Sequence, residues 1–316
     1  MTQQTTKLNT KTEVTAAPAA GAASEVKHET TLFAENITHV GSLPITNALL
    51  TSVSAVLIIA LLAIIIRVTL REIPGKIQNF FEALLEGALD LCDQVTNSRK
   101  ISEKVFPLAF SVFLFILVNN WLGLLPLGGI GLIEDGEHGL SFIPFLRSGT
   151  ADINTTIALA IMAVVSANLF GIFSIGIWKT FNKYVNLKAL GGIFTRVKKD
   201  PTVLVVAPVT FFVGILELVG EIAKIASLSF RLFGNVFAGE VLLMAMSKIL
   251  PYLLPIPFLF LEIFVGLIQA LIFSILVLVY FTIASQDHDS HDSHDEHAEG
   301  PDAGRAEEHE HHTAKA

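Results

Sequence analysis

Long apolar runs separated by polar connections dominate the chain. The runs cover about residues 49–66, 105–125, 153–177, 203–246 and 258–284. A helix that crosses a bilayer needs roughly 20 mainly apolar residues, so each run is long enough to cross. The pattern predicts an all-α integral membrane protein with about five membrane helices, of which the last two are long, tilted and packed as an antiparallel hairpin.

The fourth run is too long for a simple crossing. About 44 residues would form a helix of roughly 66 Å, whereas the hydrocarbon core is about 30 Å thick. Pro208 and several glycines can kink this helix, but no polar turn divides it. We therefore expect it to be strongly tilted or bent along the membrane. The stretch 251–257, which holds three prolines, is the predicted turn into the fifth run.

The segment 76–96 has a different pattern. Acidic residues lie there between apolar residues that recur at helical spacing. The apolar residues are Phe80, Leu84, Leu85, Ala88 and Leu91. This pattern predicts one amphipathic helix lying in the membrane interface, although a buried hairpin of the soluble kind remains an alternative. The single cysteine, Cys92, lies in this segment, where we expect it only to pack. Because the chain has one cysteine, no disulfide can form within it.

Composition supports the membrane class and locates the charge. The chain is 52% hydrophobic with a mean hydropathy of +0.61, which is too apolar for an ordinary soluble domain. Its net charge of −8 comes entirely from the C-terminal tail. We expect a disordered N-terminal tail over 1–31, a membrane domain over 32–285, and an acidic, histidine-rich tail over 286–316. That last tail is either solvated and disordered or a weak metal binder.

Lysine and arginine placement predicts the orientation. The connections 67–104 and 178–200 carry six basic residues each, whereas 127–151 carries only Arg147 among several acids. Basic connections face the cytoplasm. The N-terminus is then outside and the C-terminus cytoplasmic. We expect a multi-pass chain with this orientation, and the family resemblance given below implies an energy-coupling plasma (inner) membrane.

Charged residues within the fourth run are the strongest functional signal. Arg231 lies near the centre of about forty mostly apolar residues, and a guanidinium at mid-bilayer costs at least about 2.5 kcal/mol. At 100° per residue, five polar residues share one stripe about 80° wide (Glu217, Glu221, Lys224, Arg231 and Asn235). Glu240 falls on roughly the opposite face. One helix therefore presents polar groups in two directions, on either side of Arg231.

The fifth run adds Glu262 and Gln269, seven residues apart and on one face. If the last two helices pack antiparallel, Glu240 lies level with Glu262, and Arg231 lies level with Gln269. The outer group is then Glu240 with Glu262, and the group towards the cytoplasm is Glu217, Glu221 and Lys224. We expect two polar vestibules open to opposite sides, with Arg231 blocking a direct proton leak between them. A carboxylate on a moving partner would exchange protons with each vestibule in turn.

Structural alternatives apply to several of these residues. Glu217, Glu221 and Lys224 form an internally paired packing set in one interpretation. Asn235 and Gln269 are equally suited to bonding helices together. Asp152 is a candidate N-cap of the third helix, together with Asn154, and also a candidate residue of the outer vestibule.

The same residues carry a family resemblance. The segment Ser-Leu-Ser-Phe-Arg-Leu-Phe-Gly-Asn-Val-Phe-Ala-Gly-Glu at 227–240 resembles subunit a of F-type ATP synthase. The segments 267–280, 119–126 and 151–156 also resemble that subunit. The resemblance implies a stator subunit, not catalytic on its own, that provides two proton half-channels to a ring of c subunits. It matches Arg231 to the family's essential arginine, and Glu262 to a position that is histidine in some members. Its implied partners are the c-ring, the peripheral-stalk b subunits, the rest of the complex and the lipid bilayer.

Two rival function classes fit the sequence less well. A secondary transporter or antiporter with an intramembrane Arg/Glu site would carry an internal repeat, and none is visible in the sequence. A purely structural assembly subunit does not explain the central Arg231. The chain shows no phosphate loop or nucleophile–base set, so ATP chemistry would belong to another subunit. We expect no cofactor, no metal centre and no nucleic-acid partner.

Overall fold

The computed structural model describes residues 33–41, 43–125, 131–136, 139–177, 203–251 and 253–285. The predicted terminal tails, 1–31 and 286–316, lie outside these residues. So does the basic connection 178–200. What the structure describes is the membrane domain.

Six long helices make up this domain within the described ranges. They are α1 (Asn47–Thr69), α2 (Lys76–Thr96), α3 (Arg99–Leu124), α4 (Ile153–Ile175), α5 (Val203–Ile249) and α6 (Pro255–Ser285). Four of them, α1, α3, α4 and α6, are long and apolar enough to cross a membrane. The predicted all-α membrane class is confirmed. The helices generally extend a few residues beyond the apolar runs.

Two short antiparallel hairpins lie outside the helices and were not predicted. β1 (Asn36–Val40) pairs with β2 (Leu43–Thr46), and β3 (Gly131–Gly136) pairs with β4 (Gly139–Pro144). Gly41 has a φ of +66° at the first turn, a conformation that glycine adopts without a steric penalty. Pro44 fits in β2 because a two-stranded sheet leaves one edge of each strand without a partner. Both hairpins occupy connections between membrane helices or precede the first one.

Helix α2 matches the predicted amphipathic segment residue for residue. It ends at Thr96. The next residue, Asn97, adopts the left-handed conformation (φ 52°), and its amide donates to the carbonyl of Asp93 at 2.9 Å. Arg99 then bonds the Asp93 carboxylate at 2.6 Å and fixes the corner between α2 and α3. Cys92 is buried in the core, as expected. Burial, reinforced by the charge of Asp93, raises the pKa of its thiol and so disfavours the reactive thiolate.

Helix α5 is one continuous helix of 47 residues. At 1.5 Å per residue it is about 70 Å long, more than twice the hydrocarbon thickness. It ends at Ile249, and α6 begins at Pro255, a residue suited to the first position of a helix. The chain therefore reverses where the prolines predicted it would. Helix α6 lies at the centre of the domain, because it contacts α2, α3, α4 and α5.

Candidate functional site: two polar cavities beside Arg231

The first cavity lies where α5 and α6 meet near their turn. Its volume is about 370 Å³, part of which is open to solvent. Four of the predicted site residues line it, together with polar residues of α3 and of the segment before α4 (Asn235, Glu240, Glu262 and Gln269, with Asn120 and Ser148). The structure thus brings Glu240 and Glu262 together, as the antiparallel packing predicted. We call this space the outer cavity.

An ion pair between two parts of the chain holds Glu240 in place. The Arg147 Nη2 atom lies 3.0 Å from Glu240 Oε2, and its Nε atom lies 3.1 Å from the same oxygen. The Arg147 side chain is only 8% exposed, and its Nη1 also donates to the carbonyl of Phe33 at 3.0 Å. Sequence reasoning missed this role. The signal was that Arg147 is the single basic residue of an otherwise acidic connection.

Glu262 sits directly against the backbone of α5. Its side chain is buried, and a Cβ atom added at Gly239 would collide with its carboxylate. Glycine at 239 therefore lets α5 and α6 approach closely enough for Glu262 to reach the cavity. Within the described residues, the Glu262 carboxylate makes no hydrogen bond or ion pair.

Gln269 pairs with Asn235, not with Arg231. The Asn235 Nδ2 atom donates to Gln269 Oε1 at 2.7 Å. The expected Arg231–Gln269 contact does not form, because Asn235 lies one turn nearer the hairpin and takes its place. Gln269 is almost fully buried, and its Nε2 atom has no hydrogen-bond partner among the described residues.

Hydrogen bonds from the Asn119-Asn120-Trp121 motif fix the wall of the outer cavity. Asn120 donates to the carbonyl of Gly266 at 3.3 Å and accepts from Thr150 at 2.6 Å. Trp121 donates to the carbonyl of Ile263 at 3.2 Å. These bonds tie α3 and the 3₁₀ turn at Gly149–Ala151 to α6. The motif thus has a structural role at the site.

Asp152 is the N-cap of α4. Its Oδ1 atom accepts from the amide of Asn154 at 3.3 Å, and its Oδ2 atom accepts from the Thr155 hydroxyl at 3.2 Å. It is buried and is not among the residues that line the outer cavity. The sequence offered two roles for Asp152, and the structure shows it in the N-cap role.

A second polar cavity lies towards the other end of α5. It lies between α4, α5 and α6, and its volume is about 240 Å³, part of which is open to solvent. Lys224 Nζ lies 2.7 Å from Glu221 Oε1, and Asn168 donates to Glu221 Oε2 at 3.1 Å. The Lys224 ammonium also lies 5.4 Å from the centre of the Tyr280 ring. Glu217 is half-buried on α5 but does not line this space. We call it the inner cavity, and Asn168 is a member that the sequence did not suggest.

Arg231 lies between the two cavities along α5. The rise from Lys224 to Asn235 is about 16 Å, and Arg231 falls within it. Its side chain is exposed and makes no hydrogen bond or ion pair with the described residues, although its charge acts on Tyr280. Small residues share its face within about 80° of it (Gly220, Ala223, Ser227, Gly234, Ala238 and Ala245). A Cβ added at Gly220 or Gly234 would meet nothing within 4 Å, so this face of α5 is open.

Comparison with known proteins decides the family. The family model described as ATP synthase A chain matches residues 48–282. The chain belongs to this family. It is 35% identical to ATP synthase subunit a of Mycobacterium ulcerans over 253 residues, covering 77% of this chain and 89% of the relative. It is 34% identical to the subunit a of Geotalea daltonii (71% and 82% covered) and 35% identical to that of Gloeobacter violaceus (70% and 76%).

Membership of the family has direct consequences. The family is the proton-translocating stator subunit of the F-type membrane sector, so the ATP synthase complex is the partner of this chain. The transporter alternative is not favoured. Among the described residues, no group of three or more histidine, cysteine or acidic side chains is arranged to hold a metal ion.

Proposed function

We propose that the outer and inner cavities are two offset proton half-channels and that Arg231 separates them. The observation that carries this proposal is the order of groups along α5. Lys224 and Glu221 line one cavity, Asn235 and Glu240 line the other, and Arg231 lies exposed between them. A permanent cation at that point opposes the passage of a proton from one cavity to the other.

The open face of α5 is proposed to contact the ring of c subunits. Small residues on either side of Arg231 allow a partner helix to approach its guanidinium closely. A carboxylate of the ring would lose its proton beside Arg231 and would need to be protonated before it entered lipid. The half-channels would supply and remove those protons, and the ring would turn. The chain would do no ATP chemistry itself.

The remaining surfaces fit the other partners implied by the family. Large apolar side chains on α1 and α2 are exposed, for example Leu57 at 64% and Ile77 at 75%. Lipid and the b subunits of the peripheral stalk would cover them. The basic residues before α3 would place that connection on the cytoplasmic side of the energy-coupling inner membrane. The outer cavity would then open outwards, with the N-terminus outside and the C-terminus cytoplasmic.

The test is ATP-driven acidification of inverted membrane vesicles carrying Arg231→Ala. We expect acidification to be lost while the complex assembles normally, because the ring carboxylate no longer has a cation to pair with. Arg67→Ala is the matched control, since Arg67 is an exposed arginine at the end of α1. Coupled acidification by an assembled Arg231→Ala complex would refute the separation of the half-channels by Arg231.

A further inference from the structure

The inner cavity contains a lysine, which is an unfavourable residue beside a path for protons. The Lys224 side chain is 30% exposed, and its ammonium lies 5.4 Å from the centre of the Tyr280 ring. Lys224 shares the polar stripe of α5 with Arg231, about 10 Å from it along the helix axis. A free ammonium at this position would repel protons that approach Arg231 through the inner cavity.

Glu221 is placed to cancel the charge of Lys224. Its Oε1 atom lies 2.7 Å from Lys224 Nζ, and its Oε2 atom accepts from Asn168 Nδ2 at 3.1 Å. The Glu221 side chain is only 12% exposed, so solvent ions screen this pair less than they screen a pair at the surface. Because Asn168 belongs to α4, the carboxylate is fixed from a second helix as well as by the lysine.

The other residues that line the inner cavity carry no charge. Helix α4 contributes Asn168 and two apolar residues, and α6 contributes the phenol of Tyr280 and two further apolar residues. Among the described residues that line this space, Glu221 is therefore the one acid beside Lys224. Its two oxygen atoms each accept from a donor of the chain, whereas a proton relay has to exchange its proton in every cycle. This geometry suits a counter-ion better than a relay.

We propose that Glu221 is the counter-ion of Lys224 and keeps the inner half-channel accessible to protons. Glu221 is a positioning residue, because it acts on the path of the protons through the charge of the lysine. Without Glu221, the electrostatic barrier at Arg231 would extend into the inner cavity. This inference rests on the proposed function of the inner cavity as a half-channel.

The test is ATP-driven acidification of inverted vesicles, measured while the pH of the medium is varied. In such vesicles the medium contacts the cytoplasmic side, from which protons would enter the inner cavity. Glu221→Gln leaves the charge of Lys224 uncancelled, so proton uptake should require a more acidic medium. A unit charge about 10 Å away changes proton affinity roughly tenfold at the effective dielectric constant of a protein. We therefore expect the pH of half-maximal rate to fall by about one unit.

The double variant, Glu221→Gln with Lys224→Gln, separates the counter-ion role from a relay. It removes both charges, so the pH of half-maximal rate should return to that of the unmodified chain. Glu86→Gln is the matched control, because Glu86 is an exposed acid on α2 that lines neither cavity. It should leave the pH dependence unchanged. A purely structural role of the pair would lower the amount of assembled complex without moving that pH dependence.

Two results would overturn the proposal. One is an assembled Glu221→Gln complex with an unchanged pH dependence, since Lys224 would then need no counter-ion. The other is a double variant that is as impaired as Glu221→Gln, since Glu221 would then act independently of Lys224. If Glu221→Gln does not assemble, the double variant alone decides between the two roles.

Arg231→Ala in the same vesicles separates failure of this inference from failure of the proposed function. Loss of acidification with Arg231→Ala, alongside an unshifted Glu221→Gln complex, refutes only the counter-ion role. Coupled acidification by an assembled Arg231→Ala complex refutes the half-channel proposal itself.

Discussion

The outer and inner cavities compensate their acidic residues in different ways. In the inner cavity, Glu221 is paired with Lys224 three residues later on the same helix, and Asn168 donates to its second oxygen. In the outer cavity, Glu240 is paired with Arg147, which lies 93 residues away in the chain. Among the described residues, no cation pairs with Glu262 beside it. The inner cavity thus holds an acid paired on both oxygens, whereas the outer cavity holds one paired carboxylate and one carboxyl group without a cation among the described residues.

The two cavities therefore depend on tertiary structure to different degrees. A pair within one turn forms as soon as the helix does, so the charge balance of the inner cavity depends little on tertiary structure. The outer cavity needs α3, α5, α6 and the segment before α4 to meet at one point. We therefore expect it to respond more strongly to changes in packing.

The largest expected effect comes from closing the outer cavity against Glu262. Gly239→Ala would drive a methyl group into the Glu262 carboxylate, and overpacking of this kind typically costs about 1–3 kcal/mol. We expect less assembled complex, a lower temperature of heat inactivation and weaker acidification. Gly87→Ala on α2 is the control, because an added Cβ there meets nothing within 4 Å. Equal stability of the two variants would contradict the close contact between α5 and α6.

A smaller effect is expected at the inner cavity. Lys224→Glu places two acids side by side on α5 and should reduce acidification several-fold. The exchange variant, Glu221→Lys with Lys224→Glu, should recover much of the loss, with a coupling of about 0.5–3 kcal/mol between the two positions. Recovery would show that this cavity needs a balanced pair and not a particular order. No recovery would mean that Lys224 or Glu221 acts individually, and the comparison with the outer cavity would fail.

Sequence periodicity predicted the features that depend on local structure. Helix α2 was predicted at 76–96 because one face of it is apolar, and α5 was predicted as one helix because no polar turn interrupts it. The meeting of Glu240 with Glu262 followed from their equal distance to the proline-rich turn. Each of these inferences needs only helical geometry and one chain reversal.

Features that depend on distant parts of the chain were missed or misplaced. Arg147 was used only to predict the side on which its connection lies. Its partner, Glu240, comes close to it only in the folded structure. Gln269 was expected opposite Arg231, but Asn235 bonds it instead. Residue spacing along two packed helices predicts which residues lie at the same height. It does not predict how far each helix is rotated about its own axis. The two β-hairpins carry no strong apolar alternation and were not predicted.

The most direct test of two separate half-channels is to measure from which side of the membrane each cavity can be reached. Val265 lines the outer cavity and Ile283 the inner one, and both lie on α6, about 27 Å apart along it. Each is changed to cysteine in a Cys92→Ser background and treated with a charged, membrane-impermeant thiol reagent on one side of the membrane at a time. Leu271→Cys, at an exposed position that lines neither cavity, is the control and should react from neither side.

We expect Val265→Cys to react only from the outside and Ile283→Cys only from the cytoplasmic side. Reaction of both from the same side, or of either one from both sides, would contradict two separate cavities that open in opposite directions.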